Sequence, residues 1–266
     1  MKVQGKVFVV TGGGNGIGRE VVLQLLARGA RVAAVDLSEA GLAETTSRSG
    51  NSDRLSVHPL NITDLAGVEA LPAAVHERHG QIDGLINVAG IIQPFKRIND
   101  LSYEDIGRVM NVNFWGLLHM TKTFLPELLK RPEAHICNVS SMGAYAPVPG
   151  QTAYGASKAA VKLLTEGLYS ELLDTNVHVT LVFPGATATN ISGNSGIAME
   201  GHAADAPKFK MTPAADSARM LIDGIEANAY HVFAGQDAKM MDRLARYAPN
   251  KVAKIIYNQM KSLLNA

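Results

Sequence analysis

Tyr154 and Lys158 bracket the run Tyr154-Gly155-Ala156-Ser157-Lys158. On a helix that i, i+4 spacing puts the phenol and the ammonium on one face. A phenol ordinarily titrates at about pH 10, too high for a base at neutral pH. A cation beside it favours the phenolate and lowers that value. Such a tyrosine can accept an alcohol proton as hydride leaves, or donate one in the reverse reaction. The pair alone recurs by chance, as a core Tyr beside a solvated Lys, so its neighbours decide its meaning. Ser140 and Ser141 end an upstream apolar run, and a hydroxyl there can hold a substrate oxygen and share its developing charge.

A hydride needs a carrier, and a second motif supplies a place for one. Thr11-Gly12-Gly13-Gly14-Asn15-Gly16-Ile17-Gly18 follows an apolar run and opens a helical pattern. Glycines let the chain turn sharply and approach a pyrophosphate, and the helix start offers N–H groups to the negative charge. The spacing G-x-x-x-G-x-G is a relative of the dinucleotide-binding fingerprint rather than its commonest form. Asp36 ends the next strand, where a carboxylate can bind both ribose hydroxyls and repel a 2′-phosphate. No Lys or Arg lies between Gly12 and Gly18. Both points favour NAD over NADP, with Arg19 and Arg31 near enough to leave some NADP use open. Asn87-Val88-Ala89-Gly90 would let the chain pass close to the adenosine half. Pro184-Gly185 ends a later strand and reads either as a plain turn or, with Thr187 and Thr189, as a hold on the nicotinamide amide.

The elements that must carry these residues alternate. Lys6–Val10, Arg31–Val35, Leu55–His58, Asp83–Asn87, Ala134–Val139, Val177–Phe183 and Tyr230–Ala234 read as strands, several apolar on both faces as in a sheet covered on both sides. Gly16–Arg28, Leu65–His79, Tyr103–Lys130, Tyr154–Asp174 and Pro213–Asn228 read as helices, the last with Thr212 as N-cap. Strand–helix alternation implies right-handed crossovers. The expected fold is α/β, a single Rossmann-like doubly wound parallel sheet of about seven strands with helices on both faces. One domain spans 1–266. Asn190–Lys210, rich in small residues, reads as a substrate lid. Gln236–Ala266 reads as a helical tail broken at Pro249.

The 266 residues carry a formal net charge of +1 and 18% charged side chains. That balance argues against nucleic-acid binding. Cys137 is the sole cysteine and reads as a core thiol, so a reducing, cytoplasmic setting fits. Eight histidines are scattered without a metal-ligand spacing, so no catalytic metal is expected, and His76 and His79 fall on a helix face expected to be solvated. The basic, amphipathic tail could pack, cap a pocket, meet a partner subunit or touch an anionic membrane, with ordinary packing the simplest reading.

Taken in order, these motifs resemble the short-chain dehydrogenase/reductase family over residues 5–235. The resemblance implies roles. Tyr154 is the acid/base, Lys158 binds the nicotinamide ribose and depresses the tyrosine pKa, and Ser141 rather than Ser140 binds substrate, since it precedes Tyr154 by the family's spacing. Asn113, rather than Asn111, holds a water of the proton relay. The implied cofactor contacts are Gly12, Asn15, Gly16, Ile17, Gly18, Asp36, Asn61, Ile62, Asn87, Ala89, Gly90, Tyr154, Lys158, Pro184, Gly185, Thr187 and Thr189. Two positions depart from the family pattern: Val88 replaces an asparagine, and Asn61 an aspartate that binds adenine. The long tail also departs, and it could cover an interface of the family's usual tetramer, leaving a homodimer or homotetramer expected.

The expected activity is NAD-dependent hydride transfer between nicotinamide and an apolar secondary alcohol or its ketone: a steroid, a ketol or diol, or another lipophilic alcohol. Ile191, Ile197 and Met199 of the lid would supply apolar wall. One alternative is an NADP-dependent carbonyl or 3-oxoacyl reductase. Another, of a different class, is a catalytically silent NAD-binding scaffold.

Overall fold

A computed structural model describes residues 1–197 and 211–264. Most of the expected lid, with Met199, therefore lies outside the described residues. The chain runs β1 (Val7–Thr11), α1 (Gly16–Ala27), β2 (Arg31–Asp36), α2 (Glu39–Arg48), β3 (Leu55–Pro59), α3 (Leu65–His79), β4 (Gly84–Asn87), α4 (Tyr103–Met110), a π-helical turn (Asn111–Gly116), α5 (Leu117–Leu129), β5 (Ala134–Val139), α6 (Thr152–Glu171) and β6 (Val177–Pro184). It continues through β7 (Thr187–Ala188), α7 (Ile191–Asn194), β8 (Thr212–Pro213), α8 (Ala214–Glu226), β9 (His231–Ala234), α9 (Gln236–Tyr247) and α10 (Pro249–Met260).

Seven strands form a parallel sheet in the order β3-β2-β1-β4-β5-β6-β9, as the alternation predicts. The five inner strands bury both faces, and the period-two alternation of side chains divides them between two cores. Phe8, Val10, Val32, Ala34 and Ile86 pack under α1 and α8. Val7, Val9, Ala33, Val35 and Leu85 pack under α3, α5 and α6. Cys137 is buried in the first core, and burial pushes its thiol well above the ordinary range. The strand order reverses between β1 and β4, which opens a crevice at the carboxyl ends of these two strands.

Four local features differ from the sequence expectation. α2 has no strong apolar stripe, because it buries only Leu42 and Thr45; its start is fixed by Ser38 Oγ, which accepts from Gly41 N at 3.0 Å. The helix expected over Tyr103–Lys130 is interrupted by the π turn, which carries Asn113 and Gly116 inward. Gly116 is needed there, since a Cβ would lie 2.6 Å from Ile62 Cγ1. Thr212 and Pro213 do not open α8: they pair with Thr187 and Ala188 as a two-residue ladder, and the helix begins at Ala214. Pro213 lacks an N–H and so suits a ladder end as well as a helix start. His79 is buried rather than solvated, 2.8 Å from Ser56 Oγ, and burial with the nearby Arg78 and Arg31 charges pulls its imidazole down to about 4.

The tail folds back on the body. Met241, Val252 and Ile256 bury themselves with Ala146, and Tyr145 donates its hydroxyl to the Ala238 carbonyl at 2.8 Å. Pro249 opens α10 at its first turn, where its missing N–H costs nothing. Among the described residues no helix is long and apolar enough to cross a membrane.

Candidate active site

The crevice is built from the glycine turn upward. Gly12 and Gly16 have φ of 72° and 52°, the left-handed region that favours glycine. A Cβ on Gly12 would lie 2.9 Å from Ala89 N, and one on Gly18 would overlap the Gly12 carbonyl. Side chains here would fill the cradle, so the turn is shaped for close approach by a ligand's backbone-like groups. Thr11 Oγ1 accepts from Val88 N and Ala89 N at 3.1 and 3.2 Å, tying the ends of β1 and β4 together. Thr11 heads the glycine motif in the sequence, but this tie was not legible there because its partners are 77 and 78 positions away.

Asp36 closes one end of the groove. Its Oδ2 accepts from Gly14 N and its Oδ1 from Ser38 N, both at 2.9 Å. Arg19 is 9% exposed and engaged elsewhere: it donates to the Gly14 carbonyl, to Glu44 and, at 3.1 Å, to Thr45 Oγ1. Arg31 donates to the His79 carbonyl at 2.8 Å. Neither arginine lines the groove, and among the described residues no lysine lines it beside Asp36.

The groove has two connected halves. The first, ≈ 230 Å³, is lined by Gly12, Asn15, Gly16, Ile17, Gly18, Asp36, Asn61, Ile62, Ala89 and Gly90 among others. The second, ≈ 180 Å³, is lined by Ser140, Ser141, Tyr154, Lys158, Pro184, Gly185, Thr187 and Thr189 among others. Ile17, Val88, Gly90, Thr189 and Ile191 belong to both, so the halves form one channel. Its elongated form and its glycine cradle fit a dinucleotide laid from Asp36 to Tyr154.

Asn87 is the expected cofactor residue that the structure places elsewhere. It lies inside the sheet, 3% exposed, where its Nδ2 donates to Asn138 Oδ1 at 2.9 Å. Asn138 in turn donates to Thr165 Oγ1 at 3.0 Å. Asn87 thus stitches β4 to β5 and α6 and lines neither half.

Around Tyr154 the two serines separate by their partners. Ser140 Oγ donates to the Lys158 carbonyl at 2.7 Å, which staples α6 to β5. Ser141 Oγ accepts from Gly143 N at 3.0 Å and also hydrogen-bonds the Tyr154 phenol. Burial pushes that phenol above its ordinary value, and the Ser141 hydrogen bond pulls the other way. The lowering expected from Lys158 is therefore not the dominant influence here. Lys158 is 4% exposed, donates to the Val139 carbonyl at 3.0 Å, and is pulled by burial down to about 8. Its Nζ would lie 3.1 Å from a Cβ on Gly90, which accounts for the small residue there.

Asn113 is wholly buried, whereas Asn111 faces solvent. Its Oδ1 accepts from Ile91 N at 2.8 Å, and its Nδ2 donates to Ile91 O and Ser157 Oγ, both at 2.9 Å. These three bonds clamp the loop after β4 to α6. Gln93, which sequence reasoning missed, adds to that clamp: its Oε1 accepts from Tyr154 N at 3.0 Å and its Nε2 donates to Gly150 O at 2.9 Å.

The arrangement has relatives. The family model described as short chain dehydrogenase matches residues 6–199. SadH of Mycobacterium tuberculosis, named as an oxidoreductase, is 34% identical over 266 residues, covering 95% of this chain and 94% of its own. A short-chain dehydrogenase/reductase from Burkholderia phymatum, solved in complex with NAD, superposes with a TM-score of 0.84 at 25% identity over 94% of this chain and 96% of its own. A short-chain dehydrogenase from Burkholderia cenocepacia, solved in complex with NADP, gives 0.81 at 25% identity over 96% and 99%. With the sheet order, the glycine turn and the Ser141–Tyr154–Lys158 cluster in place, the chain belongs to the short-chain dehydrogenase/reductase family of oxidoreductases.

Proposed function

We propose that this protein is an NAD-dependent dehydrogenase of apolar secondary alcohols, working also as a ketone reductase. The observation that carries the reading is the convergence of Ser141, Tyr154 and Lys158 in one half of a channel whose other half is the glycine cradle. A bound nicotinamide would supply the hydride acceptor or donor. Gly12–Gly18, Asp36, Asn61, Ile62, Ala89 and Gly90 would hold its adenosine and pyrophosphate, and Pro184–Thr189 its other end. Asp36, with no basic side chain beside it among the described lining residues, favours ribose hydroxyls over a 2′-phosphate.

In this reading Ser141 holds the substrate oxygen and Tyr154 moves the proton. The raised phenol keeps its proton at neutral pH and so is ready to donate in ketone reduction. Oxidation needs the phenolate, which accords with assay at mildly alkaline pH. Lys158, charged below about 8, sits one turn along the same helix and would bind a ribose hydroxyl. Asn113 and Gln93 act by position, holding Ile91 and the start of α6. Ile92, Val139 and Ile191 give the chemical half an apolar character, which favours uncharged substrates. A single catalytic domain in a cytoplasmic homodimer or homotetramer completes the proposal.

NADH formation with NAD and a panel of small diols, medium-chain alcohols and hydroxysteroids tests it. One class should turn over, and Tyr154→Phe should lower that turnover by about 10²–10⁴-fold while NAD binding persists. Turnover retained in Tyr154→Phe refutes the assignment. Tight NAD binding with no turnover of any alcohol would favour the silent scaffold.

A further inference from the structure

The tail reaches the site through one carboxylate. Asp237 is the second residue of α9, and its Oδ2 accepts from Ala186 N at 2.8 Å. The other side of the same residue is also held: the Ala186 carbonyl accepts from Thr212 N at 2.8 Å. Gly185 N, one position earlier, donates to the Ala234 carbonyl at 3.0 Å. The chain at Gly185–Ala186 is thus fixed by β9, α9 and β8 together. Both flanking glycines make room for the carboxylate, since a Cβ on either Gly185 or Gly235 would overlap Asp237 Oδ1. Asp237 is absent from the lining of the channel, whereas Gly185, Thr187 and Thr189 belong to it.

Hydrogen bonds to an ionised acceptor are roughly twice as strong as neutral ones. The bond to Ala186 is therefore the firmest of the three, and it acts on the residue just before Thr187. Loss of it frees the peptide to rotate and lets both threonines drift relative to Ser141 and Tyr154. Misplacement on the order of 1 Å at such a site can cost 10²-fold in rate.

We infer that Asp237 is a positioning residue for the nicotinamide half of the channel: from the tail it sets the Pro184–Thr189 loop, touching neither cofactor nor substrate. This rests on the reading of the channel as a nicotinamide dinucleotide site. It gives the tail a share in cofactor geometry beyond packing over Ala146.

The experiment compares NADH with ADP-ribose, which shares the adenosine and pyrophosphate but lacks the nicotinamide. Binding of each is measured by fluorescence or calorimetry, alongside thermal melts, for the wild type, Asp237→Ala and Asp237→Asn. Asp237→Ala should weaken NADH by about tenfold, the worth of one charge-assisted hydrogen bond, and leave ADP-ribose unchanged. Asp237→Asn keeps an acceptor oxygen but not the charge, and should fall between, at about threefold. Equal losses for both ligands, or unchanged NADH affinity in Asp237→Ala, would overturn the inference. If Asp237→Ala does not fold, Asp237→Asn decides: selective weakening of NADH supports the role, and wild-type affinity for both ligands overturns it. A wild-type protein that binds neither ligand sinks the cofactor reading itself, and this inference with it, before any variant is made.

Discussion

Replacing Lys158 by Met should abolish catalysis yet relieve the folded protein of a charge it holds at a cost. The ammonium is 4% exposed and burial pulls it from 10.5 to about 8. At about 1.4 kcal/mol for each pH unit, keeping it charged at neutral pH costs about 3 kcal/mol relative to water. Against that relief stands the Val139 carbonyl, which would lose its donor at a cost of about 1–3 kcal/mol. At pH 7 the variant should therefore match or exceed the wild type in stability by up to about 2 kcal/mol. The pH dependence is the sharper measure. Between 8 and 10.5 the unfolded lysine keeps its proton while the native one gives it up. Native stability from this group therefore rises with pH, by about 2 kcal/mol from pH 7 to 9.5. Cys137 acts in the opposite direction, because its buried thiol stays protonated while the unfolded one ionises, but it is common to both proteins. Urea unfolding followed by circular dichroism at the two pH values measures the stability gap between variant and wild type. The gap should narrow by about 2 kcal/mol at the higher pH. A gap that does not change with pH would refute the argument that Lys158 is held as a buried, costly cation.

Two further substitutions probe the channel. Asp36→Ala removes the acceptor of Gly14 N and Ser38 N and the charge that opposes a 2′-phosphate, so kcat/KM for NADP relative to NAD should rise by about tenfold or more; an unchanged ratio would show that Asp36 does not set the preference. Gly185→Ala drives a methyl into the Asp237 carboxylate and should cost about 1–3 kcal/mol in denaturant unfolding, part of which Asp237→Gly should restore; independent, additive effects of the two would refute the contact.

The parallel sheet was legible because its inner strands are apolar on both faces, a pattern few other arrangements give. The glycine turn and Tyr154–Lys158 were legible because each is a local constellation with a fixed spacing. Three misses have a common physical origin. The π turn at Asn111–Gly116 has the same residue types as the helix around it; what produces it is the approach of Ile62 to Gly116 from another element. Asn87 sits among motif residues but turns its amide into the sheet toward Asn138, a partner 51 positions away. Asp237 looked like one charge among many in a basic tail, because Ala186, its partner, is also 51 positions away. α2 was missed for a different reason: it needs only Leu42 and Thr45 for its contacts and so leaves little periodic signal.

The ladder between Thr187–Ala188 and Thr212–Pro213 brings together the two points where the stretch around 190–210 leaves and rejoins the body. Once the ends of a loop are joined, each doubling of its length adds only about 0.6 kcal/mol of closure entropy. The two ends are thereby held on the body whatever length of chain joins them, so a change of length there leaves the glycine cradle, Tyr154 and Lys158 in their places. In engineering terms the ladder makes the stretch an exchangeable cassette on a fixed frame. The same junction is the natural seam for grafting the corresponding stretch of a relative, with turnover of the alcohol panel reading whether that stretch sets substrate choice.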